Sequence, residues 1–463
     1  MIVERFFTPE LAQVAYAVGD QAVGKVALID PRRDVGQYVE WARKRNVSIV
    51  AILETHVHAD FVSGAAELAC ATGARVYTSR LGRQAFEHVP VDDGWTLDIG
   101  AMRLTALHTP GHTPEHMSWL AEDTRYPDAV QVLFSGDALF VGDVGRPDLL
   151  GEGQTDALVR DLFNTVDTVF RNLPDDTMVY PGHTAGSSCG KNIGSDPHTT
   201  IGREKAMNYA FRPRTLAAFT DAVMRDMPDP PAYYPVLKKM NTIGARSLAS
   251  LPGMRSMSPD ALEDHVASGA LLVDVRSPQQ FAAGHIPGSV FVGVGPSFTT
   301  WMGWLAPYER DVALVADDET QAKRALTMLH RIGIDRVAGY HAGVRAWRES
   351  GRSIATLEIT TPEELMEAQG QSTDPVILDV RNDSEFEIGH VDGAMHQFLG
   401  KIARGAMPEL DRSEEIVLMC ASGYRSTVAA SLLKANGFEN LRNMTGGMNA
   451  WQERKAGIRS IAS

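Results

Sequence analysis

The second half of the chain repeats itself, and this repeat limits the fold more than any other feature. The residues Leu-Leu-Val-Asp-Val-Arg at 271–276 recur as Val-Ile-Leu-Asp-Val-Arg at 376–381, which is 105 positions later (379 − 274). Farther along the offset is 104 (451 − 347), so that Trp347 matches Trp451. A period of about 100 residues indicates duplicated domains, because the units of a solenoid span roughly 20–50 residues. Each copy alternates strand-like and helical stretches, which predicts a small α/β domain with a parallel sheet.

The length of 463 residues suggests about three domains, since single cores usually stop growing near 250 residues. In the first half, short β-branched runs alternate with helical stretches, which again indicates an α/β fold. A proline-interrupted, helix-forming stretch at 205–245 indicates closing helices followed by a linker. We therefore predict a first domain at 1–245, a second at 256–352 and a third at 358–463.

Charge and cysteine content narrow the class of protein. The chain carries 44 Lys and Arg against 58 Asp and Glu, a formal charge of −14, which disfavours nucleic acid or anionic lipid as the main partner. No apolar run approaches the roughly 20 residues that span a bilayer, and the start lacks the pattern of a signal peptide. Three cysteines cannot form a disulfide framework. We expect a cytoplasmic protein that acts on small molecules.

The first half carries six side chains of metal-binding type, placed at the end of an apolar run or beside a glycine: His56, His58, Asp60, His112, Asp137 and His183. In an extended segment alternate side chains share a face, so His56 and His58 are expected to point the same way. A single histidine is more often a hydrogen-bonded structural residue, but this ordered group predicts a metal site. Imidazole and carboxylate ligands suit both Zn and Fe(II), and the spacing leaves the two metals open.

A cysteine in the third domain lies where a strand gives way to a helix. The apolar run at 415–419 leads directly into Cys420, and an Ala-rich helical stretch follows. Backbone N–H groups and the positive dipole end of a helix stabilise a thiolate and bind anions, and Arg425 adds a positive charge able to face sulfonate oxygens. The second domain has Ala316 and Gln321 at the matching positions (420 − 104 and 425 − 104). We therefore expect chemistry at Cys420 and none in the earlier copy.

The other cysteines and histidines carry weaker signals. Cys70 lies in a helical run and is predicted to be a small core residue. Cys189 follows His183 in a Gly/Ser loop, where a structural or exposed thiol is favoured and an approach to the metal site stays open. The remaining histidines of the first domain, which lack such settings, are expected to be structural: His88, His108, His116 and His198.

Residues 1–245 resemble the metallo-β-lactamase superfamily through the motifs Thr-Pro-Gly-His at 109–112, Ser-Gly-Asp at 135–137 and Gly-Arg-Pro-Asp at 145–148. Within it they are more similar to persulfide dioxygenases than to the thioester-hydrolysing glyoxalase II enzymes. The resemblance implies an αββα sandwich and one Fe(II) per chain, with Zn as the alternative. It implies that the iron is held by His56, His112 and Asp137. Arg146 and Asp148 either pair across an ordinary loop or, as the resemblance implies, line the substrate site.

The chain departs from the family pattern at Phe61, where relatives have His. Loss of that imidazole weakens any second metal site made from Asp60, Asp137 and His183, which favours a single metal ion. His58, Asp60 and His183 then become candidates for orienting the ligands, or for holding an alternative metal.

Residues 358–463 resemble the rhodanese domain through the Cys-x-x-Gly-x-Arg loop at 420–425. The resemblance implies that Cys420 accepts a sulfane sulfur and passes it on, with Arg425 as part of the site. Residues 256–352 then form a rhodanese-like domain without catalysis. The expected architecture is α/β and multi-domain, with an αββα sandwich followed by two small parallel-sheet domains.

Together the resemblances imply a bifunctional enzyme of sulfide detoxification, a persulfide dioxygenase joined to a sulfurtransferase. Its substrates are a low-molecular-weight thiol persulfide, glutathione-like or other, and O2, with sulfite or thiosulfate as product or co-substrate. One alternative is a zinc-dependent thioester hydrolase of the glyoxalase II kind with a rhodanese appendage. The other is a sulfur-relay protein that carries out no oxidation. The family makes a homo-oligomer plausible.

Overall fold

The computed structural model describes residues 1–369 and 375–461, so 370–374 and 462–463 of the predicted third domain lie outside the described residues. The chain divides into two compact units, Met1–Leu251 with His330–Gly333, and the remainder from Pro252 onward. The first unit holds two sheets and the second unit holds one sheet for each repeat copy. The three-domain boundaries drawn from the sequence stay a prediction.

Two six-stranded sheets form the centre of the first unit. The first sheet runs in chain order through β1 (Ile2–Thr8), β2 (Gln13–Asp20), β3 (Lys25–Ile29), β4 (Ser48–Leu53), β5 (Arg75–Ser79) and β6 (Val89–Val91). The second sheet contains β7 (Thr96–Ile99), β8 (Met102–His108), β9 (Met117–Asp123), β10 (Val132–Gly136), β11 (Met178–Pro181) and β12 (Thr199–Thr200). β1 to β3 and β7 to β10 pair antiparallel, whereas β3 to β6 and β10 with β11 pair parallel.

The helices of this unit are α1 (Gly36–Arg45), α2 (Ala65–Thr72), α3 (Glu152–Asn164), α4 (Ile201–Met207), α5 (Leu216–Met224) and α6 (Tyr234–Ile243). A buried apolar layer that includes Tyr16, Leu104 and Trp119 lies between the two sheets. Tyr38 of α1 and Leu68 of α2 pack on the outer face of the first sheet, and residues of α3 and α5 pack on the outer face of the second. This order of layers confirms the predicted αββα sandwich.

Alternating burial explains why the strands form where they do. β8 buries Met102, Leu104 and Ala106, which is the period of two expected of a strand with one face in the core. The strands that precede the predicted metal ligands are β4, β8, β10 and β11, and they end at Leu53, His108, Gly136 and Pro181. The ligands therefore lie in loops held by rigid strands.

The second unit contains the two repeat copies, and every strand pair in both is parallel, as predicted. The first copy has strand order β14-β13-β15-β16 and comprises α7 (Pro259–Ala267), β13 (Leu271–Asp274), α8 (Pro278–Ala283), β14 (Val290–Phe291), α9 (Phe298–Leu305), β15 (Val312–Ala316), α10 (Glu319–Arg331), β16 (Val337–Ala342) and α11 (Arg345–Glu349).

The second copy has strand order β17-β21-β20-β18-β19. It comprises β17 (Glu358–Thr360), α12 (Pro362–Ala368), β18 (Val376–Asp379), α13 (Asp383–Ile388), β19 (Met395–His396), α14 (Leu399–Ala403), β20 (Ile416–Met419), α15 (Tyr424–Ala435), β21 (Leu441–Met444) and α16 (Gly447–Ile461). Over residues 1–369 and 375–461, none of the helices has the length and apolar character needed to cross a membrane.

Candidate metal centre and sulfur-transfer loop

Three predicted ligands meet at one end of the sandwich. His56 follows β4, His112 follows β8, and Asp137 follows β10 directly. Their ligand atoms all lie within 4.8 Å of one another, and the three side chains are buried. Asp137 Oδ2 lies 3.5 Å from His112 Nε2 and 3.9 Å from His56 Nε2. The fold thus brings together the residues that the family resemblance implies as metal ligands.

Hydrogen bonds fix which imidazole nitrogen faces the cluster. His112 Nδ1 donates to the Arg146 carbonyl at 3.0 Å, which leaves the lone pair on Nε2. The Thr55 hydroxyl donates to Asp30 Oδ2 at 2.7 Å, so its oxygen accepts from His56 Nδ1 at 2.9 Å. His56 therefore also keeps its lone pair on Nε2. Groups that hold a ligand in one tautomer and orientation are typical of metal sites.

The charges of the cluster suit a divalent cation. Burial, with neighbouring imidazoles, holds the pKa of His56 well below its usual range, and burial also lowers the pKa of His112. Burial raises the pKa of Asp137, but the charge of His183 and its hydrogen bond outweigh burial and lower it. Two neutral imidazoles and one carboxylate result, a set that Zn and Fe(II) both accept.

Unpaired polar atoms in the cluster also fit a metal ion. His56 Nε2 and Asp137 Oδ2 are buried and have no hydrogen-bond partner within the described part of the chain. Burial of an unpaired polar atom costs free energy, and coordination of a cation by both atoms would remove this cost. The residues present therefore fit the metal that the family resemblance implies.

The glycines next to the ligands occupy positions where a larger residue would be strained or would clash. Gly136 adopts a φ of 51°, in the left-handed region that favours glycine. A Cβ on Gly182 would lie only 2.7 Å from Asp137 Oδ1. The Gly-Asp and Gly-His pairs that signalled a site in the sequence thus allow the backbone to approach the ligands closely.

His58 lies beside His56 but belongs to a different group of possible ligands, with Asp30 and Glu54. The rings are 4.3 Å apart, but His58 Nε2 faces Asp30 Oδ1 at 3.2 Å and Glu54 Oε2 at 3.6 Å. Burial opposes the charged form, but Asp30 and Glu54 raise the pKa of His58 to about 9. The segment that holds both histidines lies beyond β4 and does not continue it as a strand. The orienting role predicted for His58 stays a prediction.

His183 and Asp60 form a second cluster beside the first, together with a cysteine. His183 Nδ1 donates to Asp137 Oδ1 at 2.7 Å, and His183 Nε2 lies 2.7 Å from Asp60 Oδ2. Cys189 is only 1% exposed and belongs to the same cluster. The loop composition favoured a structural or an exposed thiol, and burial rules out the exposed form. Phe61 is fully buried, with its ring 4.3 Å from that of His58.

Cys70 was predicted in the core, and this prediction is wrong because the thiol is exposed. Helix α2 buries Ala65 and Leu68, which share one face at a spacing of three residues. Cys70 lies two positions beyond Leu68 and therefore points away from that face. The helix carries its apolar character on both sides, which hid this difference in the sequence.

Arg146 pairs with Asp148 across a loop. This is the simpler of the two interpretations that the sequence allowed, the other being that both residues line the substrate site. The guanidinium is fully buried and contacts both carboxylate oxygens at 2.7 and 2.8 Å. The backbone N–H of Arg146 donates to the Cys189 carbonyl at 2.9 Å, and its own carbonyl accepts from His112. Arg146 therefore connects the His112 loop to the Cys189 loop.

The Cys420 loop lies between β20 and α15. Cys420 Sγ accepts hydrogen bonds from the Gly423 N–H at 3.1 Å and from the Ser426 hydroxyl at 3.4 Å. Gly423 has a φ of 97°, which only glycine adopts readily, and this conformation directs its N–H at the sulfur. The loop thus supplies donors for a thiolate or an outer sulfur.

Arg425 has a partner that the sequence did not reveal. Its guanidinium donates to both carboxylate oxygens of Glu385 at 2.6 and 2.7 Å, so its charge is compensated in the resting protein. Residues 422–424 also border a cleft of about 510 Å³ whose opposite wall, formed by the first copy, includes Ala282 and Ala283. The catalytic role of Arg425 stays a prediction, to which the structure adds Glu385.

Four contributors to these sites escaped the sequence interpretation: Asp30, Thr55, Glu54 and Glu385. Of these residues, Asp30 carried the clearest sequence signal for a site. It directly follows the apolar strand β3, just as Asp137 directly follows β10. Its φ of 49° and its bonds to Thr55 become visible only in the folded chain.

Comparison with known proteins agrees with this geometry. The Metallo-beta-lactamase superfamily profile matches residues 8–183, and the Rhodanese-like domain profile matches residues 258–350 and 361–454. A crystal structure of a metallo-beta-lactamase from Staphylococcus aureus subsp. aureus COL is 32% identical, with a TM-score of 0.68, and covers 74% of this chain and 99% of that chain. The chain belongs to the metallo-β-lactamase superfamily. It carries two rhodanese-like domains after the domain that defines this family.

Relatives within the superfamily differ in activity. A hydroxyacylglutathione hydrolase from Polaromonas sp. is 35% identical over 187 residues, which are 40% of this chain and 66% of that protein. The mitochondrial persulfide dioxygenase ETHE1 of Homo sapiens is 27% identical over 186 residues, which are 40% of this chain and 68% of that protein. These likenesses support an enzyme with a metal cofactor.

Proposed function

We propose that the chain is a bifunctional enzyme, a persulfide dioxygenase with an attached sulfurtransferase. The observation that carries the proposal is the presence, in one chain, of the buried His56, His112 and Asp137 cluster and of the intact Cys420 loop. A sulfur-carrying cysteine is of direct use to an enzyme that oxidises sulfane sulfur. Fusion keeps the two reactions at high effective concentration.

In the first reaction one thiol persulfide, one O2 and one water give one thiol, one sulfite and two protons. Fe(II) held by His56, His112 and Asp137 would supply open positions for the persulfide sulfur and O2. Thr55 and the Arg146 carbonyl hold the imidazoles with their lone pairs inward. Burial of the cluster excludes bulk water from the oxidation.

In the second reaction the Cys420 thiolate attacks the outer sulfur of a persulfide or of thiosulfate. The sulfur–sulfur bond breaks, the donor leaves as thiolate or sulfite, and Cys420 becomes a persulfide. A thiolate or sulfite then takes the outer sulfur and restores the cysteine. Gly423 and Ser426 stabilise the charged sulfur by hydrogen bonds. The cleft that residues 422–424 border is lined by uncharged residues, and we infer that the acceptor approaches the sulfur from it.

A second candidate function is zinc-dependent hydrolysis of a glutathione thioester. The likeness to a hydroxyacylglutathione hydrolase favours it. Phe61 counts against it, because a buried phenyl ring stands where relatives have a metal-binding His. A rhodanese-like pair also has no evident use in thioester hydrolysis.

The test begins with protein purified without O2, in which iron and zinc are measured. O2 uptake and sulfite release with glutathione persulfide are then compared with hydrolysis of a glutathione thioester. We expect iron, O2 uptake and sulfite. Iron-loaded protein without O2 uptake would contradict the dioxygenase, and zinc with thioester hydrolysis would favour the alternative. Metal-free protein with full sulfur transfer would favour the sulfur relay.

The variant Asp137→Asn tests the metal cluster. We expect loss of the bound metal and of O2 uptake together, because a neutral amide replaces the one anionic ligand of the three. The matched control is Asp128→Asn, which changes an exposed carboxylate in the loop before β10. It should retain both properties. Full metal content and activity in Asp137→Asn would contradict the ligand role of this residue.

A further inference from the structure

Helix α6 carries three polar side chains on one face, and each of them contacts a different loop of the first unit. The three are Tyr234, Lys238 and Asn241, and their spacings of four and three residues (238 − 234 and 241 − 238) place them on the same side of a helix. All three are buried or partly buried, whereas Lys239, which points away from this face, is exposed. A polar face turned inward needs partners for its donors and acceptors.

Asn241 holds the turn that follows His56. Its amide nitrogen donates to the His58 carbonyl at 2.8 Å and to the Phe61 carbonyl at 2.7 Å. Its amide oxygen accepts from the Ser63 N–H at 2.9 Å. One small side chain thus supplies two donors and an acceptor to a single turn. An aspartate of the same shape has no donor to offer to the two carbonyls.

Lys238 pairs with a carboxylate that joins two of the loops. Glu115 Oε1 accepts from the Val57 N–H at 3.1 Å, and Lys238 Nζ donates to the same oxygen at 3.3 Å. Val57 directly follows His56, and Glu115 lies three positions after His112 (115 − 112). Glu115 is buried, and a buried carboxylate needs a compensating charge, which Lys238 supplies.

Tyr234 contacts the loop that follows His183. Its hydroxyl lies 3.8 Å from Cys189 Sγ, a hydrogen-bond distance for sulfur. Cys189 lies six positions after His183 (189 − 183), and His183 Nδ1 donates to Asp137 Oδ1 at 2.7 Å. The Cys189 carbonyl also accepts from the Arg146 N–H. The three contacts of α6 therefore lead to His56, to His112 and, through His183, to Asp137.

We propose that α6 sets the positions of the His56, His112 and Asp137 side chains relative to one another, and that Asn241 is its main positioning residue. The three ligands come from separate loops, so their geometry is kept only if the loops are held together. Groups that orient metal ligands typically change metal affinity by about ten- to a hundredfold. The inference rests on the metal cluster of the proposed function and not on the oxidation of persulfide.

The test measures binding of Co²⁺, whose visible absorption depends on the geometry of its ligands. The variant Asn241→Asp keeps the shape of the side chain and removes both of its donors. We expect its dissociation constant for Co²⁺, measured by competition with a chelator, to rise about ten- to a hundredfold. We also expect the bands of the Co²⁺-saturated variant to differ from those of the wild type, which a loss of stability alone would not cause. Wild-type affinity with wild-type bands overturns the proposal.

Two neighbouring lysines give a matched pair that decides the matter if Asn241→Asp does not fold. Lys238→Met and Lys239→Met remove the same charge from the inner and the exposed side of α6. Loss of a positive charge by itself tightens the binding of a cation. Displacement of the ligands weakens it, so we expect Lys238→Met to bind Co²⁺ about tenfold more weakly than the wild type. Lys239→Met should bind it no more weakly than the wild type. Equal or tighter binding in Lys238→Met overturns the proposal.

The wild-type protein separates this inference from the proposed function. Wild-type protein that binds Co²⁺ but takes up no O2 when loaded with iron contradicts the dioxygenase and leaves the role of α6 in place. Wild-type protein that binds no Co²⁺ overturns both.

Discussion

The two rhodanese-like copies share a scaffold and differ at one loop. Each buries an Arg–Asp pair at the end of an equivalent strand, β13 or β18: Arg276 with Asp274 and Arg381 with Asp379, at 2.6 Å in both copies. In both, the arginine also donates to a backbone carbonyl eight residues farther along. The scaffold therefore depends on interactions that are independent of the cysteine, and the first copy folds without it.

The two copies differ in the hydrogen bonds that the backbone N–H groups make in the loop after β15 and in the equivalent loop after β20. In the first copy the Asp318 carboxylate accepts from the Gln321 N–H at 2.8 Å, and the Asp317 N–H donates to Gln321 Oε1. In the second copy the corresponding loop directs an N–H at Cys420 Sγ. A carboxylate of the chain itself occupies the helix N-terminus of the first copy, and we therefore expect no anion binding there, although the fold is kept.

Among the variants that test this difference between the copies, Cys420→Ser is expected to have the largest effect on sulfur transfer. The carrier sulfur is lost, so sulfur transfer should fall on the order of a thousandfold or more. The measurement is sulfane sulfur transfer from thiosulfate to a thiol acceptor, with O2 uptake on added glutathione persulfide followed in parallel. O2 uptake should be retained. Loss of both reactions would mean that Cys420 presents the substrate to the metal site.

The reciprocal variant Ala316→Cys is the matched control. It places a thiol at the equivalent position of the first copy, where the Asp318 carboxylate already holds the helix N-terminus. No transfer should appear when it is combined with Cys420→Ser. Restored transfer would show that the cysteine alone, and not the loop, distinguishes the copies.

The sequence was sufficient for the architecture because the signals were local. The repeat, the strand runs and the Gly-His and Gly-Asp motifs each lie within a few residues, and all of them correspond to elements of the structure. The partners of the site residues are not local. Arg425 and Glu385 are 40 positions apart and His58 and Asp30 are 28 apart (58 − 30), so nothing in either segment announces the pair.

The metal clusters also show that local motifs do not reveal which distant residues meet. His56, His112 and Asp137 were identified through a family pattern, and the fold brings them together. The sequence left open whether Cys189 approaches the metal site, and the folded loop places its thiol beside Asp60 and His183. The path of the loop, which the sequence does not give, decides which loop residue reaches the site.

An intermediate effect is expected from Arg425→Gln, which gives the second copy the residue of the first at this position. Glu385 then faces an anionic sulfur donor without compensation. Loss of a charged hydrogen-bonded pair costs about 1.5–3 kcal/mol, which corresponds to roughly 10- to 100-fold at 1.4 kcal/mol per tenfold. We expect the loss mainly in the KM for thiosulfate, measured by steady-state kinetics.

The pH dependence and a double variant sharpen this test. Burial raises the pKa of Glu385, but Arg425 outweighs it and lowers it, so the wild-type carboxylate stays ionised in mild acid. Without Arg425 the pKa should rise, and the defect should diminish as the pH falls and the carboxyl group is protonated. Glu385→Gln with Arg425→Gln, which reproduces the Gln280 and Gln321 of the first copy, should recover part of the loss. An equal defect at every pH would contradict the charge argument.

The smallest effect is expected from Tyr424→Phe, at a contact between the two copies. The Tyr424 hydroxyl donates to the Gly293 carbonyl at 2.7 Å, and its ring lies edge-on to Phe291 at 5.5 Å. Removing the hydroxyl alone costs about 1 kcal/mol of unfolding free energy. Calorimetry of the full chain should show one transition lowered by roughly 2–4 °C. The control is Tyr126→Phe, at an exposed site in the first unit, which should leave the unfolding temperature of both units unchanged. Because the ring remains, loss of sulfur transfer in Tyr424→Phe would mean that the first copy acts through this hydrogen bond on the geometry of the Cys420 loop.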